Sequence, residues 1–347
     1  MGKKLFLLLT GVMIIAAMAV FSGGEEIIRL LHGVSPHTIV VLCLLQLLTL
    51  LLTSYQWFFL LKKQCREIPF GNVWLVFLAG NFVESVTPSV KMGGEAARIF
   101  LFRQSTSLEY SKLAGMMLVQ KYIILLPFLL LCSLVLAASS LLVELPTAAY
   151  AAFIFLALLV ALLFKVTRGN SSCDGEKNVL PEKENKNMKG FPGFLEPFSG
   201  YKEKTSAFIM KTRKFLNKAA RASRRTVTGK EKLFLMFISL LVWILYPVKV
   251  LIVADMLGFS VGIIPLASAV FTAYMVSMVP LLPGGLGSFE GSMALLLTGM
   301  GLTPAEGLAV ALVARSITYW FPLLLSAGAS TYLAWNQRIR FTAVENS

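Results

Sequence analysis

Apolar blocks about as long as a membrane is thick run through this chain, and two of them are interrupted by proline and glycine. Residues 5–22, 38–61, 113–142, 147–165, 233–254 and 306–333 each read as an unbroken helical span. A helix rises about 1.5 Å per residue, so about 30 Å of hydrocarbon takes roughly 20 residues. Two further stretches, 71–102 and 263–300, break in the middle. The breaks are Thr87-Pro88-Ser89-Val90-Lys91-Met92-Gly93-Gly94-Glu95 and Pro280-Leu281-Leu282-Pro283-Gly284-Gly285-Leu286-Gly287-Ser288-Phe289-Glu290. Such a break removes backbone donors and frees carbonyls, which lipid cannot satisfy. Non-helical backbone at that depth survives inside protein or facing a watery cavity, so each stretch reads as a re-entrant helical hairpin. With 56% hydrophobic and only 14% charged residues, a soluble domain is excluded. The predicted class is an all-α polytopic membrane protein of six full spans plus two re-entrant helical hairpins.

The net charge of +14 invites a nucleic-acid reading that its distribution rejects. Residues 166–232 carry 16 Lys/Arg and 7 Asp/Glu, so one loop supplies an excess of nine positive charges. Positive loops stay cytoplasmic, which makes the basic excess a topology signal first. With the N-terminus inside and both hairpins returning, 26 of the 32 basic residues lie inside and Arg29 alone outside. If the first hairpin crossed fully, Arg103 and Lys112 would sit outside, so the returning arrangement is preferred. The expected location is the cytoplasmic membrane of a bacterium or archaeon, multi-pass, with both termini cytoplasmic. Lys3 and Lys4 before an apolar run resemble a signal peptide, but an uncleaved first helix fits the symmetry below. Cys43, Cys65, Cys132 and Cys173 are scattered, and His32 and His37 share a short loop, so no metal and no cofactor is expected.

The second half repeats the first upside down: span, span, hairpin, span. Thr38 to Glu95 is 57 residues and Leu233 to Glu290 is also 57. Lys121 follows Glu95 by 26 residues, and Arg315 follows Glu290 by 25. Inverted repeats whose broken helices meet near the midplane are a transporter design with the site between repeats. The boundaries read as 1–165 for the first repeat, 166–232 for a basic cytoplasmic linker, 233–337 for the second repeat and 338–347 for a cytoplasmic tail. Within the linker, Phe208, Phe215, Leu216 and Ala219 fall near helical spacing among lysines and arginines. That pattern fits either an amphipathic helix on the inner leaflet or a solvated charged helix.

Eight ionisable residues fall at membrane depth: Glu84, Lys91, Glu95, Arg98, Lys121, Lys249, Glu290 and Arg315. Each costs about 2.5–3.5 kcal/mol at a lipid-facing helix centre, so they are expected to face inward and pair or meet a ligand. Five cations against three acids suit a phosphate-bearing headgroup. The candidate headgroup site is Glu95, Arg98, Lys121, Glu290, Arg315, Glu84, Lys91 and Asn81. The hairpin tips, Pro88, Gly93, Gly94, Pro283, Gly284, Gly285 and Gly287, are expected to let backbone approach the headgroup. Half-helix N-termini after each break add a dipole end suited to an anion. Glu95 and Glu290 sit in first turns, where a carboxylate also caps orphan donors or pairs with Arg98, Lys121 or Arg315. The residues leave both roles open. Lys249, near a span end, is expected to snorkel outward, and Tyr122, Tyr319 and Trp320 to pack or anchor the interface.

The pieces Asn81…Pro88…Gly94-Glu95-Ala96-Ala97-Arg98 and Pro283-Gly284-Gly285-Leu286-Gly287-Ser288-Phe289-Glu290 resemble the flippase-like family. That family includes the membrane half of the lysyl-phosphatidylglycerol synthases, the multiple peptide resistance factors. The resemblance covers nearly the whole chain and implies translocation of a lipid or lipid-linked headgroup between leaflets. The implied partners are membrane lipids: an anionic phospholipid, an aminoacylated phospholipid or a polyprenyl-phosphate-linked headgroup. The chain stops at Ser347 with no soluble aminoacyltransferase domain, so only translocation carries over and no enzyme is expected. Three other readings stand beside it: a secondary transporter of a small solute or ion, a membrane-embedded enzyme acting on lipid phosphates with Glu95 or Glu290 as acid or base, against which no nucleophile–base pair is evident, and an accessory subunit that recruits a lipid-modifying partner.

Overall fold

A computed structural model describes residues 2–87, 92–106, 108–139, 227–279 and 282–345, plus isolated positions between 154 and 219. The expected span 147–165 and most of the linker therefore lie outside the described residues, as do Pro88, Lys91 and Pro280. Every regular element among the described residues is helical. Four helices are long and apolar enough to cross a membrane: Pro36–Lys62 (α3), Tyr110–Ser139 (α6), Gly229–Met256 (α7) and the continuous stretch Pro304–Trp335. The last contains Pro304–Arg315 (α10), a π turn at Ser316–Trp320, and the start of Phe321–Glu345 (α11). A fifth span forms if Gly2–Phe21 (α1) and Gly24–His32 (α2) count together, although the pair bends by 99°.

Helix α2 occupies a stretch expected as loop. Gly23, at φ 97°, makes the turn that α1 cannot make helically, and Glu25 and Glu26 favour the new N-terminus. Ile27 is then buried against Ala305 and Leu308 of α10.

Each interrupted stretch is a pair of short helices. Phe70–Val86 (α4) and Met92–Ser105 (α5) have 17 and 14 residues. Ile263–Ser277 (α8) and Ser288–Thr298 (α9) have 15 and 11. All four fall short of the roughly 20 residues a span needs. The first pair runs antiparallel: a Cβ on Gly94 would lie 2.6 Å from both Gly80 O and Glu84 Cβ. Only a residue without a side chain permits that approach.

The halves interlock through α3, which runs antiparallel to α7. Its Leu42 joins Val250, Val253, Leu266, Phe289 and Met293 in the core around α8 and α9. Its Leu50, Trp57 and Leu61 join Val73, Phe77 and Phe102 in the core around α4 and α5. Since lipid tails are as apolar as leucine, close packing and hydrogen bonds rather than water exclusion hold such helices together. Gln56 Nε2 of α3 donates to Ser239 Oγ at 2.7 Å and to Leu235 O at 3.0 Å. Trp243 Nε1 of α7 donates to Ile124 O of α6 at 2.9 Å.

These contacts sort the charges to two ends. Lys62 at the end of α3, Lys63 and Arg66 just after it, Arg103 and Lys112 around the α5–α6 turn, and Lys230 and Lys232 of α7 share one end. The other end carries Arg29 with Glu25, Glu26, Asp255 and Glu306.

Candidate functional site

Asn81 and Glu84 are three residues apart on α4, and Glu95 and Arg98 three apart on α5, so each pair shares a helix face. The antiparallel packing brings the two faces together around the Arg98 guanidinium. Arg98 Nη1 donates to Glu95 Oε1 at 2.6 Å, and Nη2 donates to Glu84 Oε2 at 3.0 Å and to Asn81 Oδ1. The Phe77 ring lies 5.1 Å beneath it. From α6, Lys121 Nζ reaches Glu95 Oε1 at 2.7 Å. Among the described residues two acids and two cations balance, as buried charge requires. Arg98 and Glu95 are buried, whereas the side chains of Lys121 and Glu84 are 28% and 22% exposed. This cluster opens outward.

The second cluster is closed. Arg315 Nε donates to Glu290 Oε1 at 2.9 Å, and the Gly287 N–H donates to Glu290 Oε2 at 2.7 Å. Arg315 Nη2 donates to Gly284 O, and the guanidinium lies between the rings of Phe289 and Tyr319, 4.8 and 4.7 Å away. Glu290 is fully buried. Its carboxylate therefore fills the helix N-terminus that the sequence offered to an external anion.

The tip between α8 and α9 explains its glycines. Pro283–Gly285 is a single 3-10 turn, and Gly284, Gly285 and Gly287 take φ of 62°, 67° and 78°. A Cβ on Gly284 would stand 2.9 Å from Tyr319 Oη, and one on Gly285 2.7 Å from Ser277 Cβ. Protein fills the spaces that were expected to admit a headgroup, here and beside Gly94. Tyr319 also does more than pack, since its Oη donates to Ser85 O at 3.0 Å and so ties the second tip to α4.

Lys249 departs most from expectation. It does not snorkel: it is 1% exposed, and its ammonium donates to Gln46 Oε1 and to Thr49 Oγ1 at 3.2 Å, both on α3. Among the described residues no set of His, Cys, Asp and Glu comes together that could hold a metal. The π turn and the Gln46–Thr49–Lys249 contact had no signal in spacing, because a lone Gln or Thr on an apolar helix reads as packing.

The spacing of 26 and 25 residues that paired Lys121 with Arg315 thus corresponds to two like contacts, Glu95–Lys121 and Glu290–Arg315. A "UPF0104 membrane protein" of Methanothermobacter thermautotrophicus is 23% identical over 334 residues, covering 95% of each chain. One from Methanocaldococcus jannaschii is 22% identical over 323 residues, covering 93% of each. One from Pyrococcus horikoshii is 24% identical over 338 residues, covering 93% of this chain and 95% of its own. The profile described as lysylphosphatidylglycerol synthase TM region matches residues 8–326. Spanning both clusters and every apolar helix from α1 to the start of α11, that match makes this chain a member of the lysylphosphatidylglycerol synthase transmembrane-region family.

Proposed function

We propose that this protein moves a lipid, or a lipid-linked phosphate headgroup, between the leaflets of the cytoplasmic membrane. The observation that carries this reading is the open cluster, where a buried Arg98–Glu95 pair is flanked by two partly exposed charges, Lys121 and Glu84. A phosphate oxygen reaching Lys121 competes with a single carboxylate oxygen, while the acyl or prenyl tails stay in lipid. Glu84 and Asn81 offer acceptors to hydroxyl or amino groups of the same headgroup. Arg315, Glu290 and the second tip form a rigid counterpart against which the first hairpin works.

The arrangement that goes with this function is six full spans and two re-entrant hairpins in inverted repeat, with repeats at 1–165 and 233–337. The linker 166–232 and the tail 338–347 lie in the cytoplasm, as do both termini. The collection of basic residues at one end of the molecule supports that orientation.

Purified protein in liposomes with a fluorescent phospholipid, bleached from outside, tests the proposal. Lys121→Met and Glu84→Gln are expected to slow leaflet exchange about tenfold, the rate equivalent of about 1.4 kcal/mol. Wild-type rates in both variants overturn the site, and solute uptake without lipid exchange favours the small-solute transporter.

A further inference from the structure

Three of the four described cations at membrane depth have a carboxylate beside them: Arg98 with Glu84 and Glu95, Lys121 with Glu95, and Arg315 with Glu290. Lys249 is the exception. Among the described residues no carboxylate lies within 4.0 Å of its ammonium. Its three N–H groups are served instead by Gln46 Oε1, Thr49 Oγ1 and the face of Tyr246, whose ring centre is 4.3 Å away. All three partners are neutral.

Two features make this more than a packing detail. The ammonium joins α7 of the second half to α3 of the first, so its hydrogen bonds cross the seam between the halves. The partners also suit both protonation states. Gln46 can turn its amide so that NH₂ donates to an amine lone pair. Thr49, whose hydroxyl now donates to Leu45 O at 2.9 Å, can rotate to do the same. Arginine, with no acceptor and a permanent charge, could not use such a site.

We propose that Lys249 is a proton-binding site of this protein, taking up and releasing one proton at the seam between its halves. In the step, the Lys249 N–H bond breaks heterolytically, the electron pair stays on Nζ, and the proton passes to water. The amine carries a single lone pair, so one of the two bonds, to Gln46 or to Thr49, then reverses donor and acceptor while the other is kept. That rearrangement alters the α3–α7 contact and so links protonation to relative movement of the halves. Titratable and charged groups on the elements packed around it include Cys43 of α3, Lys121 and Cys132 of α6, Tyr274 of α8, Glu306 and Arg315 of α10, and Tyr246 and Asp255 of α7 itself; the charges of Glu84 on α4 and of Arg315 also reach Tyr246, and that of Glu290 on α9 reaches Tyr274. Tyr246 meets Tyr274 edge-on at 4.8 Å, and Tyr274 lies tilted against Phe289 at 5.0 Å, which leads to Arg315. The coupling to lipid movement rests on the proposed function; proton binding itself does not.

The experiment has two arms. In full-length protein labelled with ¹⁵N at lysine Nζ and held in lipid nanodiscs, the resonance lost in Lys249→Arg is expected to move reversibly between ammonium and amine positions. The titration spans the pH range over which the protein stays folded. A resonance that remains ammonium throughout overturns the proposal. In liposomes, wild-type leaflet exchange is expected to respond to a pH step across the membrane. Lys249→Arg and Lys249→Met, both checked for folding, are expected to lose about tenfold of that response, one locked charged and the other never charged. Variants that respond like wild type, or a charge-conserving Arg that restores the response, overturn the coupling. If no lipid moves at any pH, the proposed function fails, and the resonance still decides whether Lys249 binds a proton.

Discussion

Gly284 shows how one position can be required for two separate reasons. Its φ of 62° is a conformation that disfavours any Cβ, and Tyr319 occupies the space a Cβ would enter. Gly328 of α11 has neither restriction, since nothing lies within 4 Å of its would-be Cβ. Gly284→Ala is therefore expected to lower stability by about 1–3 kcal/mol, from backbone strain and displacement of the Tyr319 ring. Gly328→Ala is expected to be neutral or to add up to about 1 kcal/mol through helix propensity. Thermal unfolding of both variants in the same detergent checks the contrast, and equal melting temperatures contradict it. Glycine's presence at the tip was readable from Pro283-Gly284-Gly285-Leu286-Gly287, because only a turn needs that run inside an apolar stretch. What stands against each glycine was not readable, since Tyr319 and Ser277 are brought there by packing between elements distant in the sequence.

At the scale of elements, the long spans were readable from apolar length alone. Residues 38–61, 113–142 and 233–254 correspond to α3, α6 and α7 with ends moved by a few residues. Helix α2 and the π turn were not. The first is nine residues of mixed polarity, and the second changes hydrogen-bond register without any change in composition. A π turn frequently marks a place where function or packing needs a side chain aimed off the helical repeat. Here it accompanies Tyr319, which meets Gly284, Arg315 and the Ser85 carbonyl at once. Ser85 is in the last turn of α4, where carbonyls lack helical partners, so the tyrosine hydroxyl serves as a cap supplied from the other half. Tyr319→Phe keeps the ring and loses only that bond. Hydrogen exchange is expected to quicken at residues 82–87, by about fivefold to tenfold for a bond worth about 1 kcal/mol, with α6 unchanged. Unchanged exchange at 82–87 shows that Tyr319 acts through packing alone.

At the scale of the whole molecule, the question is which ends of the helices share a side of the membrane. Antiparallel packing of α4 on α5 puts Glu67 and Glu109 near each other, although an apolar stretch of full-span length lies between them. The same holds for Gly258 and Gly301 around α8 and α9, where Leu266 and Leu297 share one core. A sequence reading reaches this arrangement only through loop charge, because 71–102 is long enough to cross once as a broken helix. Close packing gives an independent reason, since a broken single crossing would not bring Gly94 onto Gly80. In a variant with the four native cysteines replaced, single cysteines at Glu67 and Glu109 are expected to react only from the cytoplasmic side. Single cysteines at Arg29, Gly258 and Gly301 are expected to react only from the opposite side. Membrane-impermeant maleimide applied to intact cells and to inverted vesicles reads each site. Opposite labelling of Glu67 and Glu109 would mean that the first broken stretch crosses the membrane once, and that the two clusters do not belong to an inverted pair. Matching labels within each pair, but reversed sides for the pairs, would keep the fold and overturn the orientation assigned from the basic end.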